Sequence, residues 1–174
     1  MNCPYCGYPV KPSWNTCPVC MIPIPKRSSS PQQIQHWKTL IWLGAFADAE
    51  GSFGIYTSHD IKYDVWYPYG SFRISCEFTP EWKEIASYWQ SVHGGTLRKY
   101  WTVTNIRRTR MLEWKITRAE ELTALLSEII PYLHIKKADA EKVATFLLHY
   151  ISYKDKGRRT KEEALKLAEQ LSKK

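Results

Sequence analysis

The sequence predicts an α+β protein with a small metal-nucleated ribbon at its N-terminal end. Three observations carry this. Four of the five cysteines fall in two C-x-x-C pairs within the first twenty residues. Four short stretches read as strands and helical patterns separate them, in the order α-β-β-α-β-β-α-α. The composition, 44% hydrophobic and 24% charged, is that of a globular chain with a core.

The ribbon comes first. Cys3-x-x-Cys6 and Cys17-x-x-Cys20 each put two thiolates on one tight turn, so the two turns supply a tetrahedral sulfur cage suited to Zn²⁺. Residues 1–22 are too few to bury a core, so the metal must do the folding. Residues 23–35 (PIPKRSSSPQQIQ) are rich in Pro, Ser and Gln and read as a linker. The body spans 36–153, and 154–174 reads as a basic helical tail.

Within the body, residues 36–50 are apolar on most faces, with Gly44, Ala45, Ala47 and Ala49 spaced through them. That suits a helix packed closely on another helix, ended by Gly51. SFGIYTS (52–58) and GSFRISCEF (70–78) alternate with period two, separated by a polar and aromatic loop over 59–69. Thr79-Pro80-Glu81 opens a helix with an N-cap and a proline at the first position, and Gly94-Gly95 ends it near His93. TLRKYWTV and TRMLEWKIT make a second strand pair around a basic turn. Helices near 118–130 and 138–152 follow, with Pro131 between them. The fifth cysteine, Cys76, sits in an apolar-alternating run and is expected to be a buried strand residue.

The charge points to a partner. Lys and Arg number 25 against 17 Asp and Glu, a net +8. Residues 95–118 alone hold seven basic residues and one acidic one, interleaved with Tyr100, Trp101 and Thr102. A one-sided, aromatic-laced hairpin fits phosphate neutralisation and base contact better than a solvated face. No apolar run approaches the roughly 20 residues of a membrane span, and the cysteine-rich start is unlike a signal peptide. The expectation is an intracellular protein, cytoplasmic or nucleoid-associated, with no membrane partner.

At 42–53 the chain reads WLGAFADAEGSF. This resembles the motif of the LAGLIDADG homing endonuclease family in its form ending acid-Ala-acid-Gly-Ser-Phe. Leu43, Phe46, Asp48, Glu50 and Gly51 match; Gly44 and Ala45 swap the usual small-residue order. The resemblance covers about residues 36–152 and implies an α-β-β-α-β-β-α domain whose antiparallel sheet forms a saddle in the DNA major groove. A single motif implies a homodimer with two motif helices about a two-fold axis.

The resemblance also assigns roles. Glu50 from each copy would meet near the axis as a ligand of Mg²⁺ or another divalent cation, with the Ala49 carbonyl as second oxygen. Asp48, about 200° round the helix, is expected to cap or hydrogen-bond near the helix end instead. Lys136, in Pro131-Tyr132-Leu133-His134-Ile135-Lys136, matches the family's basic residue and is expected to stabilise charge at the scissile phosphate. The family's second polar position falls near Pro80, which cannot orient water, leaving Glu77 or Lys83 as substitutes. The saddle's DNA contacts would come from Ser52, Tyr56, Ser58, Ser71, Arg73, Ser75, Glu77, Arg98, Tyr100, Thr102, Glu113 and Lys115, with Arg107, Arg108 and Arg110 at the hairpin turn. Phe53, Phe72, Ile74, Leu97, Leu112, Trp114 and Ile116 would face the helices. The expected function is a site-specific, metal-dependent double-strand cut in DNA. The alternative is a protein of the same fold that binds DNA or intron RNA, as a regulator or maturase, without cutting.

Overall fold

A computed structural model of the chain describes residues 3, 8–11, 13–19, 31–103, 107–152 and 159–173, with the side chains of the first helix described from residue 39 onward. The elements are α1 (Pro31–Glu50), β1 (Gly51–Asp60), β2 (Val65–Glu77), α2 (Pro80–His93), β3 (Thr96–Val103), β4 (Arg108–Ile116), α3 (Ala119–Ile129), a 3-10 turn (Ile130–Tyr132), α4 (Lys137–Ser152) and α5 (Lys161–Leu171). The four strands form one antiparallel sheet in the order β1-β2-β4-β3.

Register shows why one face is buried. Phe53 pairs Phe72 and Phe72 pairs Ile116; Ile74 pairs Trp114. Their side chains therefore share one face, and all are buried with Leu112 beneath the helices. Leu97 is only half-covered. Aromatic rings knit this layer: Phe46 stacks on Trp82 at 5.2 Å, Trp89 lies 5.7 Å from Trp114, and Phe72 meets Trp114 edge-on at 5.6 Å. Each such pair adds about 0.5–1.5 kcal/mol beyond its buried area. The indoles are also satisfied: Trp82 Nε1 donates to the Leu112 carbonyl and Trp114 Nε1 to that of Gly94.

The second helix forms as its sequence predicts. Thr79 Oγ1 accepts from the Trp82 amide at 3.1 Å, Pro80 fills the first turn, and Gly94 ends the helix at φ 78°. Elsewhere the structure corrects the expected boundaries. The loop expected over 59–69 shrinks to residues 61–64, because β2 continues back through Trp66, Tyr67 and Tyr69, ring-bearing residues that favour a pleated surface. Helix α1 starts at Pro31, five residues inside the expected linker, with proline preset for a first turn. Helix α5 lies beyond the boundary expected at 153, yet it buries Ala164, Leu167, Ala168 and Leu171 and packs on β1, β2 and α4. A reciprocal capping box of Thr160 and Glu163 opens it, and the Arg159 carbonyl accepts from the Trp66 amide.

The small residues of α1 have a different use from the one expected. A Cβ on Gly44 would stand 2.7 Å from Tyr132 Cβ, and Ala47 is buried in the chain's own core. Gly44 therefore admits the 3-10 turn of the same chain, not a partner helix. Among the described side chains of α1, Trp42, Ala45, Ala49 and Glu50 are exposed, Trp42 at 71%.

Candidate active site

The C-terminal end of α1 meets the segment that leads into α4. Asp48 points inward and is buried. Its Oδ2 accepts from the His134 amide at 2.7 Å, and its Oδ1 accepts from the amides of Ile135 (3.2 Å) and Lys136 (2.9 Å). The Lys136 carbonyl in turn accepts from the Ala140 amide, the first bond of the α4 ladder. The carboxylate thus gathers three successive amides of the turn that leads into α4. Burial opposes its ionisation, but the three amides together hold its pKa below the ordinary 3.8.

Lys136 closes the same junction in the other direction. Its ammonium donates to the Gly51 carbonyl at 2.6 Å and to the Ala49 carbonyl at 3.3 Å. A cation there complements the negative end of the α1 dipole. Glu50 lies between those two carbonyls in sequence and points outward, exposed. Two acids two residues apart on one helix therefore divide the work, Asp48 inside and Glu50 outside, as their spacing predicts. The end of β2 lies beside them: the Cys76 thiol is pushed up to about 11 by burial and by the charge of Glu50.

The other expected site residues are more scattered. Pro80 sits in the first turn of α2. Glu77 is ion-paired with Arg107, and Lys83 is exposed on α2. Among the described residues no hydrogen bond or ion pair joins either of these side chains to Glu50.

Most of the residues expected on the saddle share one face of the sheet. Ser52 pairs Arg73, which pairs Lys115; Ser75 pairs Glu113, which pairs Arg98; Glu77 pairs Met111, which pairs Tyr100. Tyr56, Ser58 and Thr102 share this face by parity. The Ser75 and Tyr100 hydroxyls are 2.5 Å apart, Arg98 lies over Tyr100, and Lys115 lies over the Tyr69 ring. A shallow cleft lined by Ser58, Tyr67, Tyr69, Lys115, Thr117 and Arg118 opens on it. Tyr67 and Tyr69, which the expected loop concealed, are therefore additional residues of this face.

Three expected contacts lie elsewhere. Ser71 has the correct parity but is 2% exposed, and its Oγ is buried without a partner. The Tyr56 ring lies over Gly54, the residue opposite Ser71, which is why the hydroxyl is hidden. Arg108 and Arg110 carry the parity of Leu112 and Trp114, so they project from the opposite face of the sheet. The saddle is also not one-signed: Arg73, Arg98, Arg107 and Lys115 share it with Asp60, Glu77 and Glu113.

At the N-terminal end, Cys3 and Cys17 are buried in one small cluster with Val10, packed by Trp14. Cys6 and Cys20 lie outside the described residues. Among the described residues no three or more His, Cys, Asp or Glu side chains stand together to hold a metal, and no helix is long and apolar enough to cross a membrane.

The fold is that of LAGLIDADG homing endonucleases of known structure. The homing endonuclease I-CvuI, solved in complex with the I-CreI target, aligns with a TM-score of 0.52 at 19% identity, covering 79% of this chain and 97% of that one. I-GzeII in complex with its DNA target aligns at 0.52 and 20% identity, over 76% of this chain and 43% of that one. I-SmaMI bound to cleaved DNA aligns at 0.54 and 17%, over 87% and 47%. The chain thus spans nearly the whole of one neighbour and less than half of the other two. No family model and no curated protein matches the sequence.

Proposed function

We propose that the chain is a LAGLIDADG homing endonuclease that binds double-stranded DNA across its open sheet face and makes a site-specific, divalent-metal-dependent double-strand cut as a homodimer. The observation that carries this is the junction at the end of α1. An exposed carboxylate (Glu50) and a helix-end carbonyl (Ala49) stand together, and a side-chain cation (Lys136) already engages that carbonyl. A helix-end carbonyl that already engages a cation, next in sequence to an exposed carboxylate, offers oxygen donors of the kind a hard divalent ion takes.

Glu50 and the Ala49 carbonyl would hold the Mg²⁺ ion. When bound, that ion would polarise the scissile phosphate and lower the pKa of a water. Lys136 already reaches the Ala49 carbonyl and would supply positive charge where the phosphate charge develops. Asp48 acts through the backbone: it fixes the amides of residues 134–136 and so the position of Lys136. No described residue takes the family's water-orienting place at Pro80. Arg73, Arg98 and Lys115 read base edges or phosphates, with Ser52, Ser75 and Glu113 between them.

Assembly is supported by α1. One copy supplies one Glu50, and a divalent oxygen site takes six or more ligands. Trp42, Ala45 and Ala49 recur at i, i+3 and i+7, so they form one exposed, mostly apolar stripe that leads to Glu50. Covering Trp42 in each copy contributes about 2 kcal/mol of hydrophobic stabilisation. The near-complete coverage of one neighbour and half-coverage of two longer ones is consistent with one copy acting as half of a site.

The ribbon reading also stands as a proposal: Cys3 and Cys17 share a buried cluster, which suits two of four thiolates around one Zn²⁺. The reading is tested by incubating the protein with a supercoiled plasmid library carrying candidate insertion sites, with and without Mg²⁺. Metal-dependent linearisation at one long site supports it. Specific binding without cutting under any divalent ion reduces the chain to a binding protein.

A further inference from the structure

On the side away from the saddle, the β3–β4 hairpin carries positive charge with no acid on the same face. On the saddle the strand cations are answered by three carboxylates. On the reverse face Lys99, Arg108 and Arg110 are all exposed, and no strand residue of that face is acidic. These cations are held by rings. Lys99 and Arg110 both lie over Phe78, at 5.0 Å and 4.6 Å, and Arg108 lies over Trp101 at 4.5 Å. Trp101 is nonetheless 53% exposed and Val103 75% exposed.

We infer that this reverse face is a second nucleic-acid surface, and that its occupant is single-stranded. Charge complementarity selects a polyanion, because three aligned cations with no acid among them would otherwise repel one another. The exposed Trp101 ring selects an unpaired base: phosphate contact to a duplex needs no aromatic platform, whereas a free base has a face to stack. The Arg108 guanidinium covers part of the ring and leaves the remainder for a base. This inference is independent of cleavage, because none of these residues touches the junction of α1 with Lys136.

Fluorescence anisotropy tests it, with fluorescein-labelled twelve-nucleotide oligouridylate and oligothymidylate titrated at several salt concentrations. Three phosphate contacts predict a slope of log K against log salt of about −2. The combined Lys99→Gln, Arg108→Gln, Arg110→Gln variant should bind at least tenfold more weakly with a flatter slope. Trp101→Ala should weaken binding several-fold and leave the slope unchanged. Arg73→Gln with Lys115→Gln, on the saddle, should leave it within twofold. Preference between the two oligonucleotides tells RNA from DNA as the natural strand. Should the triple variant lose its circular-dichroism signature, each single Gln variant is expected to weaken binding about threefold. No oligonucleotide binding, equal loss in the saddle variant, or no effect of Trp101→Ala overturns the inference.

Discussion

Asp48 and Lys136 tie the end of α1 to the segment before α4 from opposite sides. The Asp48 carboxylate accepts the Lys136 amide at 2.9 Å, and the Lys136 ammonium reaches back to the carbonyls on either side of Glu50, those of Ala49 and Gly51. One end of α1 and the start of α4 are thus joined by charge-assisted bonds of both signs. The junction couples the residue proposed to hold metal with the residue proposed to meet phosphate.

Asp48→Ala should lower stability by about 3 kcal/mol, since hydrogen bonds to a charged group are worth about 1.5–3 kcal/mol each and here three share one carboxylate. Urea unfolding reads this. The pH dependence follows from the depressed pKa. Asp48's contribution is complete above its ordinary value of 3.8 and fades as pH falls through the lower folded-state value. The stability gap between wild type and Asp48→Asn should therefore be constant from pH 5 to 8 (a window of about 3 units) and narrow only in acid.

Gly44 and Trp42 separate folding from assembly. Gly44→Leu should destabilise the isolated chain by at least about 1–3 kcal/mol, because its side chain would enter the space of Tyr132. Trp42→Lys leaves the monomer core intact and should shift the proposed dimer towards monomer in sedimentation. A Trp42→Lys protein with unchanged dimerisation would remove the α1 stripe from the proposed interface.

Ser71 and Arg73 are neighbours in the same strand with opposite exposure. Ser71→Ala removes a buried hydroxyl that lacks a partner, so stability should rise or hold within about 1 kcal/mol, with DNA affinity unchanged. Arg73→Ala should cost about 1–3 kcal/mol in binding if it reads a base. Paired filter-binding and thermal unfolding measurements check both halves.

The proposed ribbon should depend on metal. Chelation, or Cys17→Ser, should unfold residues 1–22 and leave the body folded, read by limited proteolysis and by zinc content. Deleting residues 1–30 should leave the same cut site; if the ribbon touches DNA, affinity falls and the salt slope flattens.

Much of this was legible from local pattern. Period-two alternation assigned Phe72, Ile74 and Trp114 to the core and Arg73, Ser75 and Lys115 to the open face, because alternation is a property of one strand. Thr79-Pro80 and Gly94 mark α2 through local backbone chemistry. The misses are non-local. Gly44's neighbour is Tyr132, 88 positions away, and Asp48's amide donors are 86 to 88 positions away. Nothing in the α1 sequence names them. Arg108 and Arg110 were grouped with Arg107 as one basic turn, but parity along β4 sends successive side chains to opposite faces, and only the strand register shows which. Amphipathic spacing in 161–171 predicts a helix without saying that the sheet is what it covers.

The most direct measurement is cleavage and binding by Glu50→Gln at the site recovered with the wild-type protein. The wild type should linearise the plasmid only with a divalent ion, while Glu50→Gln should shift the same DNA in a gel with similar affinity and not cut it. Cutting by Glu50→Gln at the wild-type rate would mean that the exposed carboxylate at the end of α1 has no part in the chemistry.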